Sequence, residues 1–403
     1  MSTLHLAKIN KTIHGEIIIS GSKSETNRLL ILQQLFSNLI IKNASDSDDS
    51  KLLQQALNSI ANEINIGHAG TAMRFLTAYF ACKENHRVVL TGSERMKNRP
   101  IKILVEALLM LGADIKYLEK EGFPPLKITG KKITNSNIEI EGNVSSQYIS
   151  ALLLIAAKLP NGLTLKFKGE VTSVPYIKMT LSLLKEIGIN WDWKGNAITI
   201  FPKSEISSKT VIVESDWSSA SYFYSLVALN SQSKIKLHSY KKNSLQGDAV
   251  LQNIYKKLGV ETSFNKSCIT IKNTGNISLK SLNLNLNNAP DIAQTIAVTC
   301  FGLGISCHLT GLHTLKIKET DRLVALKTEL EKLGGKVSIT EDSLNLYPSS
   351  EIHKNISIAT YDDHRMAMAF APLACKAPII IQNPEVVSKS YVNFWNDLKK
   401  LSS

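Results

Sequence analysis

The sequence predicts an α/β protein of two compact domains, each built from three similar units of two helices and several strands. Three observations predict it. The length of 403 residues suits about two domains of roughly 100 to 200 residues each. Four glycines, Gly112, Gly188, Gly259 and Gly334, each follow the last apolar residue of a helical pattern, and they lie 76, 71 and 75 residues apart. A polar residue opens a mostly apolar run at Thr71, Ser145, Ser218, Asp291 and Asp363, with separations of 74, 73, 73 and 72. Two series with nearly one period mean a repeated unit. A further helix start near Ser24 completes a shorter first copy, about six in all. A period of about 73 exceeds the roughly 20 to 50 residues of ordinary solenoids, which favours two closed domains over an open superhelix.

Each element has a local cause. Glycine just past the last apolar helical position is the expected helix stop. After it comes a polar turn between alternating strands, the second of them Leu126-Lys127-Ile128, Ala197 to Ile200, Cys268 to Ile271 and Ser343 to Leu346. A second helix opens 27 to 30 residues after the first, at Arg99-Pro100, Val174-Pro175, Gly247-Asp248, Thr320 and Ser390. Proline in a first turn and Thr, Ser or Asp at a cap supply the opening chemistry. No low-complexity linker divides the halves.

Composition narrows the function. With 43% hydrophobic and 20% charged residues the chain is an ordinary folded protein, not a collagen-like, disordered or disulfide-scaffold sequence. The longest apolar runs, Ala151 to Ala157 and Ile296 to Ile305, are core-sized and fall short of the roughly 18 residues of a membrane helix. The first twenty residues carry no signal-peptide core, so a cytoplasmic location is expected. Five cysteines without a Cys-x-x-Cys pair read as buried free thiols, and no metal is expected. The net charge of +13 favours anionic partners. Aromatics are 6% and do not interleave with basic residues, which argues against nucleic acid.

Only seven of the 47 cations are arginine. Lysine is this chain's default solvating charge, so the arginines mark places needing a planar, bidentate donor. Lys23 and Arg28 flank the helix opening at Gly21-Ser22-Lys23-Ser24, where free N–H groups can hold an anion. A capping loop explains Ser24 but not both cations. Gly67-His68-Ala69-Gly70-Thr71 permits close backbone approach to a ligand, or equally tight helix packing. Arg95-Met96-Lys97-Asn98-Arg99 is a three-cation cluster at a unit boundary, with a solvated patch as the plainer alternative. Ser145-Ser146-Gln147 and Ser173-Val174-Pro175-Tyr176 offer neutral donors suited to phosphate or sugar-like hydroxyls, or to ordinary caps. Asp216, Ser218, Gln246 and Asp248 read mainly as structural caps. Carboxylates enter at Asp291 and in Lys318-Glu319-Thr320-Asp321-Arg322; Asp363-His364-Arg365 and Ser388-Lys389 bring further cations. The combination suits a site that neutralises two small multiply charged anions and moves protons.

These motifs, in this order over nearly the whole chain, resemble the EPSP synthase family of enolpyruvyl transferases. The resemblance implies two domains of three βαβαββ units each, an inside-out α/β barrel, with residues 1–19 and 216–403 forming one domain and 20–215 the other. It places the active site in the cleft between them. It implies transfer of the enolpyruvyl group of phosphoenolpyruvate to shikimate 3-phosphate, with release of phosphate, in aromatic amino acid biosynthesis. It implies no cofactor, no nucleic-acid or membrane partner, and a monomer. Carried over by motif, Lys23, Ser24, Arg28, Ser145, Ser146, Gln147, Ser173, Tyr176, Asp291 and Lys318 bind shikimate 3-phosphate. Lys23, Gly70, Arg99, Gln147, Arg322, Arg365 and Lys389 bind phosphoenolpyruvate, and Lys23, Asp291 and Glu319 are catalytic.

The chain departs from the family pattern at His68, Phe75 and Thr314, the first two flanking the phosphoenolpyruvate loop. Unsubstituted Gly70 implies sensitivity to the competing inhibitor glyphosate. The nearest rival is the related transferase acting on UDP-N-acetylglucosamine, whose lysine is followed by Asn where this chain has Ser24. A non-catalytic polyanion binder is the other alternative, and it leaves Asp291 and Glu319 without a purpose.

Overall fold

In the computed structural model, which describes residues 2–172, 174–277 and 279–402, the glycine series adopts the backbone that its position predicts. Gly112, Gly188, Gly259 and Gly334 have φ of 100°, 84°, 81° and 98°, a region other residues enter only at a cost. Helices α1 (Lys23–Leu35) and α2 (Asp48–Asn58) come first, followed by α3 (Gly70–Cys82), the single turn α4 (Glu94–Lys97) and α5 (Lys102–Met110). Then come α6 (Ser146–Ala156), α7 (Val174–Glu186), α8 (Trp217–Leu229), α9 (Leu251–Lys257), α10 (Ala293–Leu303), α11 (Arg322–Lys332), α12 (His364–Phe370) and α13 (Phe394–Ser402).

The strands repeat one plan. Glu63–Asn65 runs parallel to Arg87–Thr91, which is antiparallel to Leu126–Thr129, itself antiparallel to Asp114–Tyr117. The same order recurs through Asn137–Glu141, Leu163–Lys168, Ala197–Ile200 and Trp191–Lys194. It recurs again through Ser281–Asn285, Ser306–Thr310, Leu344–Leu346 and Val337–Ile339. In a fourth sheet the leading strand comes from the N-terminus: His14–Ile17 is parallel to Lys234–His238, with Cys268–Asn273 and Val260–Asn265 beyond it. The repeated βαβ-type units make this an α/β fold.

The chain divides into two units, one running to Ser20 and resuming at Glu214, the other Gly21–Val213. In the second, α1, α3 and α6 pack on one another. Every residue of α6 from Tyr148 to Ala156 is buried, as befits a helix apolar on all sides. In the first, α8, α10 and α12 do the same, with Met366 and Met368 in the core. The strands alternate instead, with one face buried under the helices and one open, as in Ala197–Ile200. Among the described residues no helix is long and apolar enough to cross a membrane.

Some helix openings differ from the expected ones. Asp291 and Gly247-Asp248 lie in 3₁₀ turns that lead into α10 and α9. The last helix opens at Phe394 rather than Ser390, after a further 3₁₀ turn, Pro384–Lys389. Helices α2 and α4 fall outside both repeat series.

Candidate active site

In the Gly21–Val213 unit the inner helices start at the loops that the sequence singles out. The Ser22 and Ser145 hydroxyls cap α1 and α6, accepting from the backbone N–H of Glu25 and Gln147, each at 3.4 Å. Ala69 has no side-chain acceptor to cap α3, and no side-chain cap hydrogen bond is made there, which suits the start of that helix to an anion. Gln147 Nε2 donates to Thr71 Oγ1 at 3.2 Å, so the starts of α3 and α6 adjoin. The Arg99 guanidinium lies against Gly70, where an added Cβ would stand 2.7 Å from Arg99 Cζ. Lys23 Nζ pairs with Asp49 on α2 at 3.0 Å.

Two arginines organise this end. Arg28 is buried, donating to Thr180 Oγ1 at 2.7 Å, the Ser24 carbonyl at 2.7 Å, Ser150 Oγ at 3.0 Å and the Tyr176 carbonyl at 3.4 Å. It ties α1 to α6 and α7. Arg74 donates to the Pro100 carbonyl at 2.7 Å and the Gly70 carbonyl at 3.2 Å, holding both loops that carry Arg99 and Gly70. Burial pulls both guanidinium groups down to about 10, which leaves them charged at neutral pH.

Gly70 supports a test. A Gly70→Ala side chain displaces the Arg99 guanidinium, the far end of a flexible chain, so folding is spared. With phosphoenolpyruvate as the ligand that the resemblance assigns to Gly70 and Arg99, the expected result is a thermal midpoint near that of the wild type and a KM for that ligand raised about tenfold, equivalent to about 1.4 kcal/mol. Thermal unfolding reads the first and steady-state kinetics the second; an unchanged KM would detach Arg99 from that ligand.

In the other unit one carboxylate gathers the cations. Asp291 Oδ1 accepts from Arg322 at 3.0 Å and faces Lys318 Nζ at 3.7 Å, while Oδ2 meets Arg365 at 3.1 Å. Arg322, on the first turn of α11, also reaches Glu319 at 2.7 Å and the fully buried Asp363 at 2.6 Å. Asp363 caps α12 through the Arg365 N–H at 2.8 Å. Lys389 Nζ donates to the Asp362 carbonyl at 2.6 Å, in a turn where Tyr361 and Asp362 both have positive φ. Burial opposes the charge on Asp291, but Arg365, Lys318 and Arg322 outweigh it and hold the carboxyl well below the ordinary range. Asp291 favours charged Lys318; burial with Arg322 and Arg365 still draws the ammonium below its usual value.

Behind Arg365 stand the residues read as plain caps. Asp216 caps α8, and Gln246 accepts from the Trp217 N–H at 2.8 Å. The Ser218 hydroxyl donates to Asp248 and lies 3.5 Å from Arg365. Burial first and the Asp291 charge second push Asp248 up to about 7, against the pull of Arg365 and Ser218. An acid raised in the folded state binds more protons there than when unfolded, so its contribution falls as pH rises from about 4 to about 7. Asp248→Asn removes that slope. Relative to wild type, the variant's thermal midpoint is expected to rise by several degrees between pH 4 and 8; a pH-independent difference contradicts this.

The structure thus joins Asp291, Lys318, Glu319, Arg322 and Arg365 in one network, with Lys389 at its edge. It joins Gly70, Arg99 and Gln147 in another place, and Ser24, Arg28 and Tyr176 in a third. Ser145 and Ser146 stand half-buried at the start of α6. Ser173 lies outside the described residues. Lys97 fits the plain alternative: it pairs with Glu119 at 2.9 Å and Glu94 at 3.5 Å on the surface. His68 is exposed and shares a hydrogen bond with Ser93 at 2.9 Å. Asp49 is not among the residues the sequence motifs single out; its signal is Ser47-Asp48-Asp49-Ser50, a cap with acids in the first turn.

A family model for EPSP synthase, 3-phosphoshikimate 1-carboxyvinyltransferase, matches residues 54–398. The chain belongs to the EPSP synthase family. It is 44% identical over 400 residues to the 3-phosphoshikimate 1-carboxyvinyltransferase of Bacteroides fragilis strain YCH46, covering 98% of this chain and 97% of that one. It is 35% identical over 440 residues to the enzyme of the same name from Haemophilus influenzae strain KW20, covering 100% and 99%. The solved EPSP synthase of Acinetobacter baumannii superimposes with a TM-score of 0.79 at 20% identity, over 99% of this chain and 98% of that chain. That likeness fixes the EPSP synthase fold, and the sequence matches fix the family.

Proposed function

We infer that this chain transfers the enolpyruvyl group of phosphoenolpyruvate to the 5-hydroxyl of shikimate 3-phosphate and releases phosphate, as its family does. The observation that carries the reading is the Asp291 carboxylate, held ionised with both oxygens on arginine and a lysine beside it. Shikimate 3-phosphate is bound by Lys23, Ser24, Arg28, Ser145, Ser146, Gln147, Ser173, Tyr176, Asp291 and Lys318. Phosphoenolpyruvate is bound by Lys23, Gly70, Arg99, Gln147, Arg322, Arg365 and Lys389. Its carboxylate and phosphate compete with Asp291, Glu319 and Asp363 for the same guanidinium edges. As Arg322 and Arg365 turn to the ligand, Asp291 regains basicity and accepts the proton of the attacking 5-hydroxyl. The hydroxyl oxygen bonds to the central carbon of phosphoenolpyruvate, and the methylene carbon takes a proton with help from Glu319 and Lys23. Loss of a proton from the resulting methyl group and cleavage of the carbon–oxygen bond to phosphate restore the double bond. The inside-out barrel, a monomeric state and a cytoplasmic location belong to the same reading.

Phosphate release is measured with phosphoenolpyruvate plus shikimate 3-phosphate, and separately plus UDP-N-acetylglucosamine. Release with the first acceptor alone is expected; release only with the second overturns the assignment. Solvent deuterium entering the methylene group at an unchanged rate in Glu319→Gln would remove Glu319 from proton transfer.

A further inference from the structure

On the open face of the sheet that takes its leading strand from the N-terminus, three residues from three strands form a line. Cross-strand register sets His238 directly opposite Cys268, and Lys236 opposite Glu16. Cys268 Sγ lies 3.3 Å from His238 Nδ1, and His238 Nε2 meets the Glu16 carboxylate. Lys236 Nζ, at 3.1 Å, fixes the same Glu16 oxygen. The intervening residues Ile17, Leu237 and Ile269 are buried beneath, so the pleat turns thiol, imidazole and carboxylate together toward the outside. Cys268 and His238 are both partly exposed.

Thiol, imidazole and carboxylate in that order are a nucleophile, a base that accepts its proton, and a group that orients the base. The other thiols lack this setting. Cys300, Cys307 and Cys375 are buried, and burial pushes the Cys82 thiol up to about 12. None of the three residues belongs to the reaction inferred above.

We propose that Cys268 is a reactive thiol, activated by His238 and oriented through Glu16, and a modification site for low-molecular-weight disulfides. His238, as the tautomer whose Nε2–H donates to Glu16, accepts the Cys268 proton at Nδ1. The sulfur attacks one sulfur of the disulfide, that S–S bond breaks, and the departing thiolate takes up the proton. Cys268 is oxidised to a mixed disulfide and the reagent is reduced to one thiol, so atoms and electrons balance.

The test treats the whole enzyme with glutathione disulfide and follows adducts by intact mass and peptide mapping. The expected result is a first adduct on Cys268, formed at least about tenfold faster than any on Cys82. Cys268→Ser removes the fast adduct. His238→Gln slows it about tenfold, with the Cys82 rate unchanged as the internal measure of an intact fold. Glu16→Gln slows it by less, and carries the comparison if His238→Gln alters the thermal midpoint. A Cys268 rate no greater than that of Cys82, or one indifferent to both substitutions, overturns the proposal.

Discussion

Replacing Asp291 by Asn is expected to lower kcat about 10³-fold, the range lost when a positioned general base is removed, while the variant binds inorganic phosphate and phosphoenolpyruvate more tightly than wild type. Both halves come from one geometry. The carboxylate neutralises Arg322, Arg365 and Lys318, at 3.0, 3.1 and 3.7 Å. An amide of the same shape leaves those charges uncompensated and available to an anion, and it accepts no proton. A merely structural Asp291 predicts a different pattern, in which stability and both kinetic parameters worsen together. Steady-state kinetics with calorimetric titration of phosphate separates the two. Loss of turnover without a gain in anion affinity means that Asp291 does not compete with the substrate for arginine.

The second large effect is on stability. Arg322→Met is expected to cost about 3–5 kcal/mol of unfolding free energy, because a buried carboxylate loses its counter-charge. Arg322 touches three acids, and Asp363 among them is fully buried. The pair itself is not strongly stabilising, since both charges were taken out of water to form it. Removing one partner is costly because the other stays buried. Urea unfolding of the soluble variant measures this. Arg322→Lys keeps the charge but not the fork that serves three carboxylates, so it falls between the two. Lys97→Ala, which breaks an exposed pair, is expected to leave stability unchanged. Equal behaviour of Arg322→Met and Lys97→Ala contradicts the account of the network.

How far the sequence alone reached follows from where each signal resides. The helix stops at Gly112, Gly188, Gly259 and Gly334 were legible because a left-handed residue is a local requirement that few side chains meet. The caps at Ser145, Asp216 and Asp363 were legible for the same reason, their hydroxyl or carboxylate acting within three residues. The work of Arg28 was not legible, since Ser150 and Thr180 lie 122 and 152 positions away. Only packing of α1 on α6 and α7 creates that pocket. Asp248 was read as a cap because its neighbours in sequence are cap-like; its raised proton affinity comes from burial beside Asp291, 43 positions on. Pairing of His14–Ile17 with Lys234–His238 has no local signature; resemblance to a family supplied only the expectation that residues 1–19 join the C-terminal half.

Phosphorus NMR of phosphoenolpyruvate and shikimate 3-phosphate with a catalytic amount of the enzyme follows both phosphorus atoms at once. The phosphoenolpyruvate and shikimate 3-phosphate signals are expected to fall together, as inorganic phosphate and a new sugar-like phosphomonoester rise in equal amounts. Phosphate appearing while the shikimate 3-phosphate signal stays constant, or no turnover at all, contradicts it.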